Sequence, residues 1–291
     1  LPLRGLTLTR GRATEAADSN IPNGGQGGAI FFHYGNRRLE IYDSTFTSNV
    51  AAGNSTWDGG GVLHIRNADW VHVENSTFSN NQALNGGVMN ILITPGYLTD
   101  NQYIDNTSTS TQHGGGGAIY IDNGSLTFAN SLFQGNTTGY LGGGYFNAGG
   151  SKNIAGETLI NNYFVDNGAG TQGGGVYTVD DRITVTGTTF ANNVSVSNGG
   201  GLVHESKNNG SFTASITNST FTGNLSGTGR FENPDPNATQ GNGGAIVNSG
   251  AATMRITHTT IADNRTGVQG GAIRTGSGAV IVTASIITTN T

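Results

Sequence analysis

The stretch "GGAIYIDNGSLTFANSLFQGN", Gly116 to Asn136, decides the fold. A glycine run ahead of an apolar residue has two readings. It cradles phosphate when it leads from a strand into a helix. It is a tight corner when it recurs along a repeat. The rest of the chain chooses between them. The glycine–glycine–small–apolar pattern returns nine times, beginning at Gly27, Gly59, Gly86, Gly116, Gly142, Gly173, Gly199, Gly243 and Gly270, with a mean period of about 30 residues. Nucleotide loops do not recur in this way, so the glycines punctuate a repeat.

A second motif, F-x-x-N, alternates with the first. Its aromatic or apolar positions are Phe46, Phe78, Tyr103, Phe133, Phe164, Phe190, Phe221, Ile261 and Ile287. An asparagine follows three residues later in every repeat, from Asn49 to Asn290. Three residues before the aromatic lies another polar position, Asp43, Asn75, Asp100, Asn130, Asn161 and Asn218 among its occupants. Five residues before it lies an apolar one, from Ile41 and Val73 to Ile256 and Val282. The segments between alternate apolar and polar with period two, the signature of half-buried strands.

Each unit thus holds about three short strands and three corners, and cannot bury its own apolar face. Stacking units at about 4.8 Å buries a continuous column. The expected fold is all-β: a right-handed, single-stranded parallel β-helix of nine to ten coils, the hand following from the preference of parallel crossovers. Nine coils give a rod on the order of 45 Å long. Phenylalanines should stack inside, and asparagines should form ladders at corners, where they tolerate left-handed backbone. Residues 1–291 read as one domain, with 1–26 a partial first coil and 225–242 an inserted loop carrying Pro234 and Pro236.

Repeated GGAI followed by F-x-x-N resembles the polymorphic outer-membrane-protein repeat of bacterial surface adhesins, and the β-helix repeats of large secreted bacterial proteins. The resemblance covers nearly the whole chain. It implies a right-handed β-helix and an extracellular or cell-surface setting. The motif residues are architectural there, so no catalytic residue carries over.

Composition narrows the functional classes. Glycine supplies 49 of 291 residues and charged residues only 11 %. A net charge of −5 argues against nucleic acid, which wants a basic footprint. The absence of cysteine removes thiolate catalysis and disulfides. No stretch reaches the roughly 20 apolar residues of a membrane-spanning helix. No cofactor motif and no metal cage is found.

Enzyme chemistry needs acids or bases gathered on neighbouring coils. Glu40 and His72 share a column on adjacent coils, one acid–base candidate. His64 and His204 are expected in one column, five coils apart, roughly 24 Å, too far to share a metal or a proton. Asp180, Asp181 and Arg182 mark a turn, read either as a calcium or glycan site or as a solvated corner. Eleven N-x-S/T sequons occur, most of them on ladder asparagines. Asn54, Asn123, Asn209 and Asn237 lie in loops instead.

If Ile119 and its equivalents point inward, the next residues point outward: Phe31, Leu63, Asn90, Tyr120, Phe146, Tyr177, Val203, Val247 and Arg274. Tyr120, Phe146 and Tyr177 are therefore expected as an exposed aromatic stripe that binds a glycan or another surface. Both terminal segments read as strand, so copies are expected to stack end to end, or the chain to continue. The expected function is a non-enzymatic extracellular structural or adhesive module. The alternatives are a carbohydrate-active β-helix enzyme and a pure glycan-binding module.

Overall fold

The computed structural model describes residues 2–14, 25–33, 35, 37–53, 58–149, 156–207, 212–227 and 240–291. It is a right-handed parallel β-helix, and no helix occurs among the described residues. Four parallel sheets run the length of the rod. The first and second have ten strands each, the third and fourth nine. One coil shows the path: Ile119–Asp122 in the fourth sheet, Ser125–Ala129 in the first, Leu132–Gln134 in the second and Thr137–Thr138 in the third. The sequence pattern shows three strands per coil. The third-sheet strand escapes it because most of its members are two residues long, too short to alternate.

The interior is built from columns. In the second sheet the F-x-x-N aromatics pair coil to coil, Phe78 with Tyr103, Tyr103 with Phe133 and Phe133 with Phe164. Their rings lie nearly parallel with centroids 4.5–5.3 Å apart from Phe46 to Phe221. In the first sheet Ile41, Val73, Leu98, Phe128, Leu159, Val185, Ile216 and Ile256 form the opposing inward column, all fully buried.

The two polar positions divide the corner work. The residue three before each aromatic takes left-handed backbone, as at Asp43, Asn75, Asp100, Asn130 and Asn161 with φ of 49–55°. The ladder asparagine turns inward and is buried. The left-handed residue at that corner is the one before it, for example Asn80, Asp105 and Asp166. A further ladder at the first corner escaped sequence reading. There the hydroxyl or amide of Ser76, Asn101, Ser131, Asn162 and Thr188 accepts the backbone N–H of the coil before.

The paired glycines serve two needs. Gly116 holds φ at +69°. A Cβ on Gly117 would stand 1.9 Å from the Gly143 carbonyl oxygen. In the second coil the motif frame is Gly60–Gly61–Val62–Leu63, one residue later than the first glycine suggests. Leu63 therefore points inward, paired with Ile30 and Met89, and His64 takes the outward place beside Phe31 and Asn90.

Strands Pro2–Arg4, Thr7–Thr9 and Arg12–Thr14 add a further turn ahead of the first glycine motif. The segment read as an inserted loop leaves the third sheet after Leu225–Ser226 and returns at Asn242, which bridges Asn198. Residues 228–239 lie outside the described residues.

Phe133→Ala is expected to cost about 3–5 kcal/mol. Asn136→Leu is expected to cost about 3 kcal/mol or more, because the Asn106 amides, the Tyr103 carbonyl and the Asn167 side-chain oxygen all lose a buried partner. Urea titration of both variants checks this. A loss for Asn136→Leu below about 1 kcal/mol would remove the ladder from the structural argument.

Candidate functional site

The outward column of the fourth sheet is not a surface. Tyr120, Phe146 and Tyr177 do lie on successive coils, edge to face at 5.4 and 5.5 Å, but only 7, 5 and 2 % of each is exposed. They form a second apolar cluster with Leu92, Leu141, Val179, Val203 and Val247. Leu141 belongs to the segment before a glycine corner, held by bridges to Gly115 and Gln172. The Tyr177 hydroxyl donates to Glu205, which also pairs with Lys207 at 3.3 Å. The expected exposed stripe is therefore corrected to a buried ladder. Alternation gives the direction of a side chain but not whether a later segment covers it.

The open aromatic face lies on the first sheet. Trp70, Pro95 and Ser125 occupy one outward column; His72, Tyr97, Thr127 and Thr158 occupy the next. All of these except His72, together with Ile93, Thr94, Gly96, Asn123 and Gly156, line a groove of about 550 Å³. The Trp70 and Tyr97 rings meet edge to face at 4.8 Å, and Tyr97 is 45 % exposed. Gly96, between Pro95 and Tyr97, points inward where there is no room for a side chain: a Cβ would stand 2.1 Å from the Val71 carbonyl oxygen. The signal was present in the sequence. In the coils that follow, these outward positions are mostly Thr or Ser, as at Ser125, Thr127, Thr158, Thr184 and Ser215, and the aromatics depart from that run.

His72 continues the face toward the first coil. Glu40 pairs with it in register, as expected. Its ring nitrogens engage other groups, however: the Tyr42 hydroxyl at 3.3 Å and the Glu74 carboxylate at 3.2 Å. Arg4 lies over the Tyr42 ring at 4.7 Å and pairs with Asp43.

A polar cluster occupies the interior of the later coils, and it corrects two expectations. His64 and His204 are not in one column. His64 is outward and stacks on Phe31 at 5.3 Å; burial first, then His33 and Arg66, lowers its pKa to about 4. His204 is inward, between Thr178 and Asn248. The Asp180–Asp181 turn is not solvated either, since both aspartates are buried. Asp181 accepts from Asn147 at 3.0 Å and from the Arg182 backbone. His204 Nε2 faces the Asp181 carbonyl at 2.9 Å and Nδ1 faces Asn248 Oδ1 at 3.2 Å.

Glu157 stands at an inward position opposite Leu-type neighbours and is 1 % exposed. Neither of its oxygens makes a hydrogen bond, although Asp181, Asn147 and Tyr145 lie close enough to act on its ionisation. Burial, then the Asp181 charge, pushes the Glu157 carboxyl well above the usual range; burial also raises Asp181. Such a pair holds a proton that either acid alone would lose in water.

Among the described residues no three His, Asp or Glu side chains gather as a metal site, and no helix is long and apolar enough to cross a membrane. Five sequon asparagines, Asn106, Asn136, Asn193, Asn224 and Asn264, are ladder members with their amides engaged. Asn75 and Asn218 are exposed at left-handed corners. Asn54, Asn209 and Asn237 lie outside the described residues. Comparison with family models, curated proteins and solved structures gives no significant match.

The Glu157 shift sets a pH dependence. A carboxyl whose folded pKa is raised contributes stability that is fully present below its unfolded value and is lost as pH rises through the folded one. Wild-type stability is therefore expected to fall relative to Glu157→Gln as pH rises from about 4.5, by about 1.4 kcal/mol per unit of upward shift. Thermal melts of both proteins across pH check this. Parallel curves would show that Glu157 does not carry the dependence.

Proposed function

We propose that the chain is a non-enzymatic adhesive module of a bacterial-type cell surface, and that it holds a glycan in the first-sheet groove. The observation that carries this reading is the Trp70–Tyr97 pair, half-buried indole against exposed phenol ring, in a groove on the outer face of the rod. Sugar rings present apolar C–H faces that stack on such rings, and hydroxyls that need fixed partners. Asn123, Ser125, Thr127 and Thr158 offer those partners around the aromatics. The volume falls in the range of small-ligand sites, roughly 300–1,000 Å³.

The lining groups are neutral, which favours binding over acid–base cleavage. The Glu157 carboxyl points into the rod, away from the groove that Gly156 and Thr158 line on either side of it. An extracellular setting accords with the surface-adhesin resemblance of the repeat. The proposal includes end-to-end pairing of copies, through the unpaired strand edges that any parallel stack presents.

The double variant Trp70→Ala/Tyr97→Ala is expected to keep the wild-type circular dichroism, since both rings lie on the outer face. It should lose glycan binding by about tenfold or more, on the order of the stacking of two rings. Retention on immobilised mannan and on a panel of bacterial polysaccharides measures this. Unchanged retention of the folded double variant would reject the groove as the binding site.

A further inference from the structure

Ile93 breaks a backbone rule at the edge of this groove. It lies just after a fourth-sheet strand, in a column where the backbone turns left-handed. Its equivalents are residues that tolerate that turn: Asn67 at φ 54°, Asn123 at 56°, Gly149 at 69° and Asp180 at 48°. The hydrogen bonds Asn67 N to Leu92 O and Ile93 N to Asp122 O fix the equivalence. Ile93 holds φ at 51° with a β-branched side chain, whose Cβ crowds the backbone in that region. The strain does not serve the core, because 54 % of Ile93 is exposed. Its side chain lines the groove with Trp70 and Tyr97. An asparagine would satisfy the corner as it does one coil away on either side. What isoleucine adds is an apolar wall facing the ring pair.

We propose that Ile93 is the specificity-determining residue of the groove, and that its ligand is an uncharged sugar chain. One face of the sugar would rest on Trp70 and Tyr97 while its edge would rest on Ile93. This rests on the reading of the groove as a glycan site. Charge supports the ligand class. No acidic or basic side chain lines the groove, so a carboxylated or sulfated sugar would lose hydration with no cation to pair. Strain kept at an exposed position beside a pocket is the pattern expected when a site, not the fold, selects the residue.

The test uses the full chain, wild type and Ile93→Asn, with mannan and β-1,3-glucan as neutral probes and hyaluronan and polygalacturonate as acidic ones. Ile93→Asn is expected to raise the melting midpoint by about 2–4 °C as the strain is relieved. It should weaken neutral-glycan binding by on the order of tenfold, as loss of one partly buried isoleucine contact would. The acidic probes should bind more weakly than the neutral ones. Ile93→Gly, which also relieves the strain, should lose binding in parallel. An unchanged or lower midpoint for Ile93→Asn, or unchanged affinity in both variants, would overturn the role of Ile93. Tighter binding of the acidic probes would overturn the ligand class. If wild type binds no glycan on the panel, the groove reading falls and this inference with it. If wild type binds and Trp70→Ala abolishes binding while Ile93→Asn does not, the reading stands and only this inference fails.

Discussion

Each side-chain amide in the column from Asn81 to Asn264 does three things in the dry interior. Its oxygen accepts both the backbone N–H and the side-chain N–H of the asparagine one coil before, at 2.8–3.1 Å for the pairs Asn106–Asn136, Asn167–Asn193 and Asn224–Asn264. Its nitrogen donates to the asparagine one coil on, and to the carbonyl of the aromatic residue one coil back, as Asn136 does to Tyr103. Both donors and the acceptor are therefore used. A buried polar group left unpaired costs about 1–3 kcal/mol, so the column tolerates few substitutes. Aspartate would bring a charge and remove the donors. Serine has one donor and is too short to span two coils. The ladder also fixes the axial register. A coil that slipped by one residue would orphan these groups and turn its phenylalanine outward.

This dependence explains which features were legible in the sequence. Phe133 and Asn136 repeat because each needs an identical neighbour above and below, and a residue that must match its copies leaves a period. The inward column from Ile41 to Ile256 was readable for the same reason. Features that depend on one place along the rod leave no period. The second coil was framed one residue early because Val62 fills a position held by Ala118 or Gly144 in other coils. That error moved Leu63 outward and placed His64 in the wrong column. Tyr120, Phe146 and Tyr177 were given the right direction and the wrong environment, because burial on an outer face depends on segments such as that of Leu141. Glu157 was passed over altogether. An acid in an alternating strand reads as an outward residue unless its register is known.

The candidate groove was hidden by a related effect. Trp70 and Tyr97 lie on adjacent strands but are 27 positions apart in sequence. Neither belongs to a repeated motif. They become visible once the first sheet is aligned and their columns are seen to turn to Thr and Ser in the coils that follow. In a solenoid the ladder residues report the architecture, and departures from the ladder report what individual coils are for. By that measure the rod has two special regions: the aromatic face around Trp70, His72 and Tyr97, and the interior around Tyr145, Glu157, Asp181 and His204.

One region lies on the outer face of the first sheet and the other in the interior, where the first and fourth sheets meet, and they ask different things of the rod. In a stack whose coils contact only their neighbours, stability is close to a sum of coil and interface terms. Strain at Ile93 is therefore borne by its own coil and the adjoining ones. The buried acids Glu157 and Asp181 weaken the coils after it, where the stacked apolar columns are interrupted. The Phe and Asn ladders run unbroken past both regions on the far side of the rod, through the rings of Tyr103, Phe133, Phe164 and Phe190. That continuity lets one wall carry a strained corner and an outward tryptophan without loss of register. The glycine corners, the aromatic stack and the asparagine ladder hold each coil in place, and the first sheet is left to vary its outer face.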